Sequence, residues 1–430
     1  MALPQIYAKR KFLTLPTSLH PLAERDFGIF WLGAFLSSIG FWVQTVGQGW
    51  QVLQLTNSAL LLGFVGFAAT LPNIILSLFG GVIADRFNRR LLLLLTQTVY
   101  MCTATLLGIL TTLHIIAVWQ IILMALINGT FSTIGWPAWQ AFIGELIEPG
   151  ELKQGIALNS TQFNLSRVIG PAIGGFAIAM VGIAGNYYLN ALSYLAVIIP
   201  LLFLRPKHLH ALSAKRQSMW RDLSVGVNYA RKRPLLQVVL LLQFLIAFLV
   251  FPYTTLLPIF ARDIFHIGAT GLGILNAAAG LGALLGAVFI VLFTQRMEHS
   301  LRVLIMLCVA GGVTALAFAL SHGQQTAIPL LILLGSCTVA STTVTNTTVQ
   351  TMTPEDMRGR VLSIWVMVNF GLGPFGTLVA GWVAQTIGAP LTLATGGLLC
   401  ASGTVLVALL QRRHRFIERI ADLSACIPGR

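Results

Sequence analysis

The stretch Gly80-Gly81-Val82-Ile83-Ala84-Asp85-Arg86-Phe87-Asn88-Arg89-Arg90 sets one acid and three guanidiniums inside a long apolar run. Such groups can be ordinary charges at the inner face of a membrane, with Asp85 paired to one of the arginines, or they can serve a specific contact. A solitary Arg167 lies in another apolar run, about eleven positions from its start and so ~16 Å along a helix. If that run crosses a bilayer, the guanidinium sits near the midplane, where it needs a partner, a water-filled cavity or an anionic substrate. Two readings stay open: a substrate contact, and a structural clamp on carbonyls or on Asn and Gln of neighbouring helices.

Reaction chemistry is poorly provided for. There is no H-E-x-x-H, G-x-S-x-G or G-x-x-x-x-G-K-[ST] pattern, and the eight His residues fall at run ends or in breaks. Gly371-Leu372-Gly373-Pro374-Phe375-Gly376 satisfies G-x-G-x-x-G, but it lies within an apolar run with no strand before it and no acid after it. Cys102, Cys308, Cys337, Cys400 and Cys426 are scattered singly, without metal-ligand spacing. The chain is therefore read as having no catalytic group, no metal and no cofactor. An intramembrane enzyme would need a buried nucleophile with a base or metal ligands in reach.

What must position these charges is lipid-spanning helix. Of 430 residues 56% are hydrophobic and 9% charged, with mean hydropathy +0.83, far from soluble averages. Twelve apolar segments are long enough to span. Six run Phe27 to Gln54, Leu60 to Ala84, Leu91 to Leu113, Ile115 to Leu146, Ile156 to Val181 and Ile183 to Leu204. Six more run Leu235 to Ala261, Gly271 to Thr294, Leu301 to Leu320, Ala327 to Met352, Val361 to Ile387 and Leu391 to Leu410. The break at Gly182 and Gly185 is the weakest of all.

With the N-terminus inside, nearly every Lys and Arg falls on the cytoplasmic side, and only Arg262 falls in an outer loop. Both termini are thus expected inside, and the +14 net charge reads as topology and attraction to anionic lipids rather than nucleic-acid binding. The first 26 residues lack the core and cleavage site of a secretory signal. The expected domains are an N-terminal six-helix bundle (1–204), a cytoplasmic basic linker (205–234) and a C-terminal six-helix bundle with a cytoplasmic tail (235–430). Within the linker Trp220, Leu223, Val227 and Ala230 share one helical face, which suits a helix lying on the inner membrane surface or a solvated linker.

Pro149-Gly150-Glu151-Leu152-Lys153-Gln154-Gly155 leads into Gly170-Pro171 and Gly174-Gly175; about 205 residues later Pro354-Glu355-Asp356-Met357-Arg358-Gly359-Arg360 leads into Gly371, Gly373-Pro374 and Gly376. The halves look duplicated. Gly81 to Arg90 resembles the loop signature G-x-L-A-D-R-x-G-R-[KR] between spans two and three of the major facilitator superfamily, with Ile83 for Leu and Asn88 for the second Gly. Asn tolerates a left-handed backbone, so the turn is expected to survive. Arg167 to Gly175 resembles the superfamily's G-P-x-x-G-G exporter signature, with Ser166 where Gly often stands. Trp31 to Gly40 and Thr56-Asn57-Ser58-Ala59 resemble the branch containing the enterobactin exporter and drug:proton antiporters.

The resemblance implies an all-α membrane protein with twelve transmembrane helices in two pseudo-symmetric bundles. It implies a monomeric secondary carrier in the bacterial cytoplasmic (inner) membrane, exporting a small amphipathic or anionic molecule, with protons as candidate coupling ion. An importer or uniporter of the same fold, and a transport-inactive receptor, stay as alternatives. Gly81, Asp85, Arg86, Arg89, Arg90, Gly170, Pro171, Gly174 and Gly175 are its candidate gating residues. Asp85 is expected to contact the inner end of span eleven near Arg360 to Ser363. Cavity candidates are Arg167, Gln44, Thr45, Gln48, Asn128, Trp136, Asn164, Tyr253, Thr342, Thr345 and Asn346. All thirteen acids fall in loops or at span ends, leaving Asp26, Glu145 and Asp263 nearest the spans; Asp26 and Glu145 are the proton-carrier candidates.

Overall fold

Lipid offers the backbone no hydrogen-bond partner, so each apolar run must close its own bonds and becomes a helix. A computed structural model describes residues 17–204, 225, 227–293 and 300–425, and the described segments are helical apart from short connections. After a short turn of helix at Thr17–Ala23, α1 spans Arg25–Thr56, α2 Ala59–Arg86, α3 Arg89–Thr112 and α4 Val118–Leu146. Leu152–Phe203 is a single run broken at Gly182, and its two limbs are α5 (152–181) and α6 (183–203). Then come α7, Pro234–Ile264; α8, Gly268–Phe293; α9, Ser300–Ala319; and α10, Gln324–Met352. The last two are α11 (355–387) and α12, Ala389–Ala425.

Eleven of these runs are long and apolar enough to cross a membrane, and the one that is two limbs makes twelve spans. With an even number, both termini lie at one end of the bundle, here the terminal end; the other is the distal end. The fold is two six-helix bundles, α1–α6 and α7–α12.

The α5–α6 joint is the least expected feature. Gly182 has φ 71° and ψ −179°, a region that side chains with a Cβ essentially do not enter. The reversal is tight, because the Asn186 side chain donates back to the Gly174 carbonyl at 3.1 Å and to the Val43 carbonyl at 3.2 Å. The sequence marks this bend with glycine alone.

Buried amide and hydroxyl side chains lace the spans where apolar packing gives no direction. Gln44 accepts from Asn190 at 2.6 Å, Tyr187 donates to Gln51 at 2.6 Å, and Gln51 donates to Thr111 at 2.8 Å. In the other bundle Gln243 donates to Asn369 at 2.8 Å and to Thr342 at 3.3 Å, with Asn369 carried on the π turn Met367–Leu372. Such bonds fix rotation and register between helices that lipid would otherwise let slide. Linker residues 205–224, including the expected face at Trp220 and Leu223, lie outside the described residues. Ala230 is buried, with Val227 packed against the same core.

Candidate transport pathway and gates

The two bundles meet closely at the distal end. A Cβ on Gly175 of α5 would stand 2.7 Å from Gly273 Cα of α8, and one on Gly381 of α11 would stand 3.1 Å from Gly63 Cα of α2. Only glycine permits backbones this near. Side chains close the same end. Arg262, at the end of α7, donates to the Leu53 carbonyl at 2.8 Å and to Asn57 Oδ1 at 2.7 Å, where α1 ends. Asp263 holds the guanidinium at 2.6 Å. Gln385 of α11 accepts from Ser58 Oγ at 3.0 Å. Asn57 caps α1 in the left-handed region, φ 51°.

Toward the terminal end the seam opens. Pro171 and Gly175, on the α8-facing side of α5, are buried, while Ala157, Ser160 and Thr161 nearer the terminal end are exposed. Arg167 lies between these zones. Since α5 starts at Leu152, four residues before the sequence suggested, Arg167 is about 22 Å from its terminal end. Gly170 and Gly174 bring α1 against α5: a Cβ on Gly170 would meet Trp42 Cβ at 2.5 Å. That approach puts the Arg167 guanidinium 5.8 Å from the Trp42 ring centroid. Among the described residues no carboxylate pairs with Arg167.

The other cavity candidates divide by their partners. Gln44, Asn128 and Thr342 are engaged in interhelical hydrogen bonds, Asn128 accepting from Thr103 at 2.8 Å. Tyr253 is wholly buried and Thr345 is buried. Asn164 donates to the Ser160 carbonyl at 2.8 Å, and Asn346 accepts from Gln350 at 2.5 Å, both within their own helices. Thr45 and Gln48, with Phe41, recur at one-turn spacing on α1; Phe41 and Thr45 are exposed and Gln48 is half-buried. Trp136 is exposed and meets Phe163 of α5. Trp42, Phe41 and Phe163 were not expected from the sequence, where Trp136 and Tyr253 are the aromatic cavity candidates. Arg262 was visible as a lone distal charge, but its partners sit more than 200 positions earlier.

A family model described as transmembrane secretion effector matches residues 16–423. The chain belongs to this family of major facilitator transporters. The chain is 25% identical over 386 residues to a staphyloferrin A transporter of Staphylococcus aureus, covering 89% of this chain and 96% of that protein. It is 29% identical over 408 residues to an enterobactin exporter of Shigella boydii, covering 93% and 95%. A bacterial homologue of the lysosomal transporter Spinster, solved inward-facing and occupied, superposes with a TM-score of 0.71 at 13% identity, covering 91% of this chain and 97% of that one. The protein is thus a multi-pass membrane transporter and not an enzyme.

The loop between α2 and α3 departs from expectation at one point. Asn88 has φ −60° and ψ 115°, not a left-handed backbone. Its Oδ1 accepts from the Arg90 and Leu91 amides at 3.0 and 3.3 Å, so it serves as the N-cap of α3. Asn suits both roles, and the immediate start of α3 at Arg89 selects the cap. Arg89 donates to Glu145 at 2.8 Å, and Glu145 is only 6% exposed at the end of α4. Arg90 donates to the Leu201 and Leu202 carbonyls, satisfying the last turn of α6. Gly81, Asp85 and Arg86 fall in the last turns of α2; their side chains lie outside the described residues. Asp26 is half-buried in the first turn of α1.

Proposed function

We propose that this transporter exports a small amphipathic or anionic molecule of the siderophore, aromatic-metabolite or drug type by alternating access. The observation that carries the reading is a lone guanidinium, Arg167, on a seam sealed at the distal end and open at the terminal end. An uncompensated cation at mid-membrane depth is costly unless water or an anion reaches it. The excess of Lys and Arg toward the terminal end supports a cytoplasmic location for that end in the bacterial inner membrane. Substrate then enters from inside, and release requires parting the distal contacts while the terminal ends of the bundles approach. The secretion-effector family and the relatives that handle enterobactin and staphyloferrin A support the substrate size and the direction.

Protons are the exchanged ion in this reading, with Glu145 the better placed carrier. Its carboxylate is buried against Arg89, and protonation would dissolve that pair and free the loop that Arg89 anchors. The carrier works as a monomer among anionic lipids. Inside-out vesicles, energised to an acid interior and followed with a pH-sensitive dye, test the whole reading. Protein-dependent loss of the gradient on adding a candidate compound is the expected result. Saturable binding without translocation would replace the exporter with a receptor, and uptake driven only by sodium or by substrate would remove proton exchange.

A further inference from the structure

Arg167 is the one Lys or Arg at mid-span depth, and its guanidinium lies over the Trp42 indole at 5.8 Å. The ring attracts the cation from one side, and among the described residues no carboxylate pairs with its N–H groups. The rings continue away from it. Trp42 meets Phe163 at 6.2 Å and 57°, Phe163 meets Trp136 at 6.1 Å and 67°, and Phe41 meets Trp42 at 5.4 Å and 77°. Tilted and edge-on contacts of this kind are the arrangement that aromatic pairs prefer, and they join the rings into one group. Trp136 is 54% exposed, and the buried indole N–H of Trp42 has no acceptor among the described residues. Across the seam, Gly280 of α8 packs on the Arg167 carbonyl and presents no side chain.

Resting on the export reading, we propose that Arg167, Trp42, Phe163 and Trp136 form a binding site for a planar aromatic monoanion. The count of charges selects one anionic group. No second Lys or Arg lies at this depth, so further carboxylates on an aliphatic polyanion would lose water without gaining a counter-ion. The rings select a flat π body, because they offer faces rather than hydrogen bonds. Depth selects the direction of entry. Phe163 is one turn nearer the terminal end than Arg167, and Trp136 is about 15 Å from the terminal end of α4. The guest enters past Trp136 and Phe163 with its anionic group leading, and the anion comes to rest on the guanidinium edge and the Trp42 N–H.

Binding to the purified full-length protein in lipid nanodiscs, with empty nanodiscs as the blank, tests this by saturation-transfer NMR. The probes are 2-naphthoate, cyclohexanecarboxylate of equal charge without a π face, and citrate. We expect 2-naphthoate to bind about tenfold more tightly than either other acid. Trp136→Leu and Phe163→Leu should each weaken naphthoate severalfold while leaving cyclohexanecarboxylate unchanged, Trp136→Phe should retain most of the affinity, and Arg167→Gln should weaken both monocarboxylates. Melting temperatures near wild type show that the variants fold. Equal binding of the three acids, no detectable binding of naphthoate, or indifference to both ring substitutions overturns the site. Vesicles that export 2-naphthoate equally well with Arg167→Gln would leave export standing and remove this site. Naphthoate binding with no transport of any compound would do the reverse.

Discussion

Replacing Arg262 with Ala removes two hydrogen bonds between the bundles, to the Leu53 carbonyl and to Asn57 Oδ1. Bonds from a charged donor can each contribute about 1.5–3 kcal/mol when buried. The Arg262 side chain is 25% exposed and shares its charge with Asp263, so about 0.7 kcal/mol apiece is the fitting value. The loss of about 1.4 kcal/mol shifts the closed-to-open ratio at the distal end roughly tenfold. Gly66 reports this shift. It lies in the α2 seam one turn below Gly63, and a Cβ there meets only ordinary contacts, 3.8 Å from Thr377 Oγ1. In a Cys102→Ser background, Gly66→Cys should be alkylated by a membrane-impermeant maleimide about tenfold faster when Arg262→Ala is added. Asn57→Gly removes only the side-chain acceptor, since glycine keeps the left-handed cap, and should give about half the effect in free energy. Combined with Arg262→Ala it should add little. Unchanged alkylation in Arg262→Ala, or full additivity of the two substitutions, would refute the clasp.

Gly175→Val puts side-chain carbon where a Cβ alone is 2.7 Å from Gly273; it should hold the distal seam apart and cut vesicle transport at least tenfold, measured at matched protein levels. Gly182→Ala forces a Cβ into a glycine-only backbone region and should cost about 1–3 kcal/mol, read as a lowered melting temperature in detergent. Arg89→Gln leaves Glu145 buried without its cation and should destabilise by about 3 kcal/mol, whereas Arg89→Gln with Glu145→Gln should recover much of that loss in the same melting assay. Asn88→Ala deletes the α3 cap at a cost of about 1 kcal/mol, and Asn88→Gly should be milder. Asp85→Asn should shift the resting population toward the inward-open state, and unchanged cysteine accessibility on the inner side would count against it.

Span number and order were legible because apolar length is a strong signal in lipid, where nothing competes with the helix. The α5–α6 turn was faint for a physical reason: a single glycine in an unusual conformation reverses the chain, with no polar loop to announce it. Arg167 and Arg262 both stood out as charges in the wrong place. Their surroundings did not, because Trp42 reaches Arg167 only through the close packing that Gly170 allows, and Asn57 reaches Arg262 only when the bundles meet. At Asn88 the residue type fitted two local conformations, and the neighbouring helix chose between them.

The joint at Gly182 has a mechanical meaning. It lies at the distal end, where α5 meets α8, and it ties α5 directly to α6, which is fastened to α1 by Asn186 and Asn190. A connection without slack forbids α5 from sliding along its own axis or turning freely about it. The motion left to it is a swing of its far arm, like a door leaf on a fixed hinge. Arg167 rides on that leaf about halfway out, so in the proposed export cycle any swing that narrows the open terminal end also carries the cation across the seam.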